Sequence, residues 1–538
     1  MLRANPQTVS NTLFDLIVIG GGVTGSATAR DAALRGLSVL LLEKDDFASG
    51  TSSRSSKLIH GGLRYLETYQ FKLVAESLRE RERAIKLAPH LTEVRPFLYL
   101  LYNGYPEPKW LLNLGLTFYD VASGEWLKRR HKMLNPRQVL EREPHLNAQG
   151  LKGAGMYYDV FTDDARFTLD NAKGAAEAGA VLMNHAEVTG LILENGKARG
   201  VTVRDSLTGE EFEAHGHQIL NATGPWTDRT RAFEHTKTTH ELRPTKGVHI
   251  VVKKRDFPLN TAVFLRSPDD NRVVWPTPSL EEDVVYIGTT DTDYTGDPDD
   301  VRPDESDIRY LLNVANHTIP EAKLDESHIV GSWAGLRPLV APAPGTTTSN
   351  TSREHEISVG PTGLLTISGG KLTSSRLMAK QFVNAAEEAL GRKRTKGRAS
   401  TTALPGSRMN QLPHISWACA KVGVPDDVAK AWIRRYGSNA AKLLENWKAN
   451  AASRREFGVR GLTVAEIEYL VAEEMVGRLD DLMVRRTGIF FWDGDGGLEQ
   501  IDDIARVLGG LLGWTDEFRT QEIAAYRQLV EDHRPGRG

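Results

Sequence analysis

Near its start the chain carries a short, unbroken apolar run, Leu16 to Ile19, that stops at the glycine cluster Gly20 to Gly22. A brief apolar stretch ended by turn residues is the pattern of a strand buried on both faces of a parallel sheet. The small residues Ser26, Ala27 and Ala29 then open a helix, and Leu37 to Leu42 forms a second buried strand ending at Glu43. The same strand-into-glycine pattern returns in QILNATGPW, ending at Trp226, and in LLTISGGKLTSSR, ending at Arg376, whose helix should start near Leu372. Other stretches follow different periods. Phe71 to Pro89 is amphipathic and densely charged, a helix covering a sheet, whereas Leu242 to Gly288 reads as successive strands of an antiparallel sheet. Beyond Arg408 the pattern is helical: Thr463 and Glu466 are spaced as a capping box opening VAEIEYLVAEEM, and DDLMVRRTG ends another helix.

Size and charge narrow the possibilities. A chain of 538 residues is too long for one core and should divide into two to four domains. The formal net charge of -3 offers no basic face for nucleic acid. The single cysteine, Cys419, excludes an internal disulfide, and its apolar setting ISWACAKVG suits packing rather than catalysis. No secretory signal and no spanning segment are evident, so a cytoplasmic chain is expected, or one resting on a membrane without crossing it. There is no metal-ligand spacing, nucleophile elbow or internal repeat.

Gly20, Gly22 and Gly25 supply G-x-G-x-x-G between a strand and a helix. The first glycine makes the turn, the second admits a pyrophosphate to the backbone, and the third lets the helix pack on the strand. The helix N-terminus then faces the anion with unpaired N–H groups. Glu43 ends the second strand, where an acid accepts the ribose hydroxyls of an adenosine and would repel a 2′-phosphate. NAD and FAD both remain open at this point. The next stretch, GTSSRSSKLIHGGLRYLE, is a loop of hydroxyl and backbone donors suited to a phosphate and a flat polar ring, with His60, Arg64 and Tyr65 at its end.

These residues carry a resemblance. The chain resembles the FAD-dependent, respiratory glycerol-3-phosphate dehydrogenases of the amino-acid-oxidase-like flavoproteins. The matching motifs are DLIVIGGGVTG, TSSRSSKLIHGGLRYLE, DDAR at Asp163 to Arg166, NATGPW, KGVHIVV, IGTTDTDYTGDP, GLRPL and SGGKLTSSR, in order along nearly the whole chain. Arg54 departs from the pattern, which often has a small residue there, and is assigned no role. The resemblance implies FAD held by Gly20, Gly22, Gly25, Glu43, Thr51, Ser52, Ser53, Ser55, Ser56, Lys57, Ala222, Thr223, Gly224, Gly369, Gly370, Leu372 and Thr373. The helix after Lys371 would aim N–H groups at the pyrimidine end of the flavin, where charge gathers on reduction.

The implied substrate is glycerol 3-phosphate, a dianion with a secondary alcohol. Arg64, Tyr65, Arg337, Arg353 and Lys371 are the candidates to bind it, since arginine forks match phosphate oxygens. Arg337 sits in the apolar run WAGLRPLV, where it needs a partner: a carboxylate, or the substrate phosphate. His249, on an alternating strand, and His60 are the candidate proton acceptors, Lys371 can polarise the developing oxyanion or bind phosphate, and Arg337 is grouped with them as a catalytic candidate.

The expected fold class is α/β. A Rossmann-like FAD-binding domain (12–80, 150–235 and 350–392) carries an inserted, mainly antiparallel β-sheet substrate and membrane-facing domain (81–149 and 236–349). A basic linker, 393–408, leads to an all-α domain, 409–538, read as a cap or dimer contact in a possible homodimer. PKWLLNLGLTFYDVASGEWLKRRHK is either a buried helix with a basic end or an interfacial helix, with Lys128, Arg129, Arg130 and Lys132 meeting anionic headgroups. The resemblance implies a quinone acceptor dissolved in the bilayer, which favours the second reading. The alternatives are an oxidase of the same substrate using oxygen, an amine or hydroxy-acid oxidase, and a non-catalytic flavin-binding protein.

Overall fold

The computed structural model describes residues 1–67, 69–124, 129–235, 242–280, 283–340 and 355–534. Among these, two large sheets divide the work. The first runs, in spatial order, Glu356–Val359, Leu365–Ser368, Glu211–Asn221, Leu13–Ile19, Val39–Leu42 and Val181–Met183, with the hairpin Ala186–Glu194 and Lys197–Asp205 joined to Glu211–Asn221. The strands from Leu365–Ser368 to Val181–Met183 are mutually parallel. Their continuous Val/Ile/Leu character follows from burial on both faces: Leu16, Val18 and Leu41 pack under the helices Val23–Leu34, Asp164–Glu177 and Ser375–Ala389, while Ile17, Leu40 and Leu42 face the hairpin side. The C-terminal ends of the central strands open onto one crevice, the place where doubly wound sheets hold ligands.

The second sheet is mainly antiparallel and includes Thr92–Tyr102, Leu151–Thr162, Ala262–Arg266, Val273–Pro278, Val284–Gly288, Leu242–Lys253 and Ile329–Val340. Two of its strands, Leu58–Ile59 and Leu151–Thr162, lie in segments that motif reading groups with the cofactor half. The reason is register. Leu151–Thr162 pairs with Thr92–Tyr102 along almost its whole length, and a strand goes with its partner whatever motif lies beside it.

The tail is helical, as expected, but differs in detail. Thr463 Oγ1 caps Glu466 N at 3.2 Å, yet the return half of the box is absent because the Glu466 carboxylate is taken by Arg435 and Tyr436. DDLMVRRTG holds a wide helical turn, Asp481–Arg486, closed by Thr487 N to Leu482 O. The 393–408 segment is strapped across two helices, with Leu404 N bonded to Leu87 O at the end of Phe71–Leu87 and Thr395 N to Glu387 of Ser375–Ala389. The tail itself packs against the back of the second sheet, where Trp333, Val251 and Tyr286 share one core with Trp432, Phe491 and Leu482. Cys419 is buried in that core.

Candidate active site

Between the two sheets lies a continuous cavity of about 530 Å³. One end is the glycine turn. Gly20 has φ +103, and a side chain there would come within 2.7 Å of the Ala222 carbonyl oxygen. A Cβ on Gly25 would stand 1.8 Å from Gly20 O, so Gly25 lies beneath the turn and lets the helix approach, while Gly20 and Gly22 face the cavity. Gly22 caps the helix Val23–Leu34 without any side-chain bond, and Ser52 Oγ accepts Val23 N at 2.9 Å. Glu43 is buried at the cavity wall, accepting Gly21 N at 2.6 Å and Asp45 N at 3.0 Å. Burial, then the charge of Asp45, pushes its carboxyl up to about 7.

The serine loop owes its shape to the DDAR motif. Asp163 caps the helix Asp164–Glu177, and the Asp164 carboxylate collects Ser55 N (3.0 Å), Ser55 Oγ (2.6 Å) and Lys57 Nζ (2.7 Å). Lys57 and Ser53 are therefore buried beneath the loop, away from the cavity lining, whereas Thr51, Ser52, Ser55 and Ser56 line it. Thr51 Oγ1 is anchored on Leu336 O at 2.6 Å. Ala222, Thr223 and Gly224 close one wall. Gly369, Gly370, Leu372 and Thr373 close another, where a tight turn at Leu372–Ser374 leads into the α-helix Ser375–Ala389. Thr373 Oγ1 accepts His60 N at 3.1 Å and so joins this wall to the serine loop. A turn that only glycine fits, a helix start facing the crevice, a buried carboxyl at the strand end and a hydroxyl-rich wall together match a dinucleotide lying in extended form.

The other end of the cavity is basic and aromatic. His60, Arg64, Tyr65, Arg337 and Lys371 all line it, with Phe97, Tyr157, Phe264 and Trp275 as an apolar wall. Lys371 Nζ lies 3.8 Å from the centre of the Tyr65 ring. Arg337 bonds Asp291 Oδ1 at 3.1 Å and Thr289 Oγ1 at 3.0 Å, so it has a carboxylate partner while still bordering the cavity. Arg353 falls outside the described residues. His249 is 3% exposed, lines the cavity, and lies 2.9 Å from Ser56 Oγ through Nε2. Its ring stacks on Trp333 at 4.8 Å with 14° between planes. Burial, then the Arg337 and Lys57 cations, hold its pKa well below the ordinary histidine value, so the imidazole is neutral.

Sequence reading missed several of these residues. Asp164 and Asp291 act as carboxylate partners, Trp333 backs His249, and Arg54 borders the cavity after all. A local signal did exist for part of this. Gly247 and Gly288 stand where a Cβ would come 2.6 Å from Arg337 Nη2 and 2.1 Å from His249 Cδ2, so the glycines of KGVH and IGTT mark the space those two side chains need.

Comparison with known proteins agrees with this geometry. The FAD dependent oxidoreductase family matches residues 15–384, and the C-terminal domain of alpha-glycerophosphate oxidase matches 397–519. The chain is similar to the aerobic glycerol-3-phosphate dehydrogenase of Staphylococcus haemolyticus, at 37% identity covering 98% of this chain and 96% of that one. It is also similar to that of Bacillus subtilis, at 37% identity covering 96% and 95%. The crystal structure of the glycerol-3-phosphate dehydrogenase from Bacillus halodurans, complexed with FAD, superposes with a TM-score of 0.84 at 32% identity, covering 99% and 97%. The L-α-glycerophosphate oxidase of Mycoplasma pneumoniae, 19% identical with a TM-score of 0.55, shares the fold over 73% of this chain. The chain is thus an FAD-dependent oxidoreductase and belongs to the aerobic glycerol-3-phosphate dehydrogenase family.

Proposed function

We propose that the protein oxidises sn-glycerol 3-phosphate to dihydroxyacetone phosphate and passes the electrons to a membrane quinone. The observation that carries the reading is the cavity itself, which runs from a dinucleotide turn to a pocket holding Arg64, Arg337 and Lys371 beside a neutral histidine. FAD, when bound, accepts the hydride that leaves the carbinol carbon. Arg337, Arg64 and Lys371 hold the phosphate dianion, and Arg353 belongs to the same proposed set. The aromatic wall of Phe97, Tyr157 and Phe264 excludes water around the carbon skeleton. His249, kept neutral, takes the hydroxyl proton, and a dianion beside Arg337 offsets the cations that oppose its protonation. His60, which lines the same cavity beside Trp275, orients the alcohol.

Contact with the bilayer is assigned to the helix Lys109–Ser123. Its inner stripe, Leu112, Leu116 and Tyr119, is buried, while Trp110, Leu114 and Val121 are 68%, 59% and 61% exposed. Tyr69 and Phe71 extend the apolar surface, and Arg129 and Arg130 follow the helix as the basic rim. Among the described residues no helix is long and apolar enough to cross a membrane, so this would be surface attachment. The inner face also touches the site, because Tyr119 Oη accepts Gly61 N at 2.8 Å and donates to Asp159 at 2.7 Å. The test is acceptor choice. With glycerol 3-phosphate as donor, a soluble quinone analogue should be reduced quickly and oxygen consumed slowly. Rapid peroxide production with little quinone reduction would instead make the protein an oxidase.

A further inference from the structure

His249 borders the cavity but is only 3% exposed, so little of its ring is open to a substrate. Its Nδ1 is buried without a hydrogen-bond partner among the described residues, and Nε2 faces Ser56 Oγ at 2.9 Å. Trp333 covers one face of the ring, and the Gly288 backbone closes so near its edge that a Cβ there would lie 2.1 Å from Cδ2. Ser56 stands differently. It is half-buried, lines the cavity, and occupies the hydrogen-bonding position at Nε2.

We propose that Ser56 is a catalytic residue, the group that meets the carbinol hydroxyl of the substrate, and that His249 receives the proton through it. The inference rests on the reading of His249 as proton acceptor and adds the hydroxyl that connects it to the alcohol. In the step, the substrate O–H bond breaks and its proton moves to Ser56 Oγ while the Ser56 proton moves to His249 Nε2. The C–H electron pair leaves as hydride to the bound FAD, and the carbinol becomes a ketone. A hydroxyl suits this role because it donates and accepts at once and carries no charge at rest. The relay uses the imidazole with its proton on Nδ1, leaving the Nε2 lone pair for Ser56.

The loop around Ser56 is held as a relay requires. Asp164 fixes Ser55 through N and Oγ, Trp333 Nε1 donates to Ser55 O at 3.2 Å, and Tyr286 Oη donates to Ser56 O at 3.3 Å. Trp333 therefore stacks on His249 and bonds the residue before Ser56. The pair is thus set by the second sheet rather than by the loop alone.

The test is a double-mutant cycle on the holoenzyme, read as the rate of flavin reduction by glycerol 3-phosphate without oxygen. Ser56→Ala should slow reduction by about a hundredfold, within the range of proton-transfer catalysis. KM should change little, the rate being taken per bound flavin because Ser56 also borders the cofactor wall, and Ser56→Thr, which keeps a hydroxyl, should restore most of the rate. His249→Ala should slow reduction to a similar degree, and the double variant should be no slower than either single one, because the two act as a unit. Ser56→Ala reducing as fast as the parent while His249→Ala is slow would overturn the relay and leave His249 acting directly. Multiplicative effects in the double variant would overturn it as well. His249→Ala reducing at the parental rate would instead remove His249 as proton acceptor.

Discussion

The two ends of the cavity are built on different principles. At the dinucleotide end, the central turn comes from residues close in sequence: Gly20, Gly22 and Gly25 form it, and Glu43 closes the next strand, with residues 222–224 and 369–373 added as outer walls. At the substrate end, nothing local suffices. His249 meets Ser56 across 193 residues, Gly288 from the neighbouring strand makes its space, and Trp333 from a third strand backs it. Behind Trp333 stand Phe491 and Trp492 of the helical tail, at 5.4 and 5.8 Å between ring centres. The tail is therefore the rear wall of the substrate end. The glycine turn is a local property of this chain, whereas the basic and aromatic end is assembled from all of it.

The sharpest way to break the local half is Gly25→Ala. The new Cβ would sit 1.8 Å from Gly20 O, against backbone that cannot give way. The variant should purify without FAD, as read from its absorbance spectrum, because the turn and helix must part. The assembled half should fail differently. Glu474 receives Arg166 Nη2 at 3.0 Å and Lys173 Nζ at 2.7 Å, all three fully or nearly buried, and joins the tail to the helix that follows the DDAR cap. Glu474→Ala leaves two buried cations without their anion and should cost about 3–5 kcal/mol, seen as a lowered Tm.

This contrast also explains what could be read from the residues in advance. Strand, glycine turn and terminal acid are legible because sterics act over a few residues, and Gly25 and Glu43 fall where their spacing puts them. Lys57 falls among the residues that the resemblance assigns to FAD, yet its ammonium turns away to Asp164, which is 107 residues distant. Glu466 looks like half of a capping box until Arg435 and Tyr436 take its carboxylate. Leu151–Thr162 follows the boundary of its sheet partner rather than that of the neighbouring motif. In each case a long-range partner outbids a local one, and such partners are invisible without the pairing of the sheets.

A subtler probe of the dinucleotide end is pH. The Glu43 carboxyl stands at about 7 before FAD binds, and ribose hydroxyls donating to it favour the ionised form. Below pH 7 the acid must lose a proton on binding, so FAD affinity should fall by up to about tenfold per pH unit and level off above 7. Glu43→Gln should flatten this slope in a titration of the apoprotein. The smallest expected effect on the chemistry comes from the outer helix. Trp110→Asp with Leu114→Asp should abolish sedimentation with anionic vesicles and leave flavin reduction by glycerol 3-phosphate unchanged, since both side chains point away from the cavity. Unchanged vesicle binding would move the membrane contact elsewhere.

The central claim is that one cavity joins a bound flavin to a phosphorylated alcohol. Mixing the FAD-loaded protein anaerobically with sn-glycerol 3-phosphate and following the flavin absorbance tests it most directly. Bleaching of the oxidised flavin spectrum, with one dihydroxyacetone phosphate formed per flavin, is the predicted result. A spectrum unchanged by glycerol 3-phosphate, in a protein whose flavin dithionite still reduces, would contradict it.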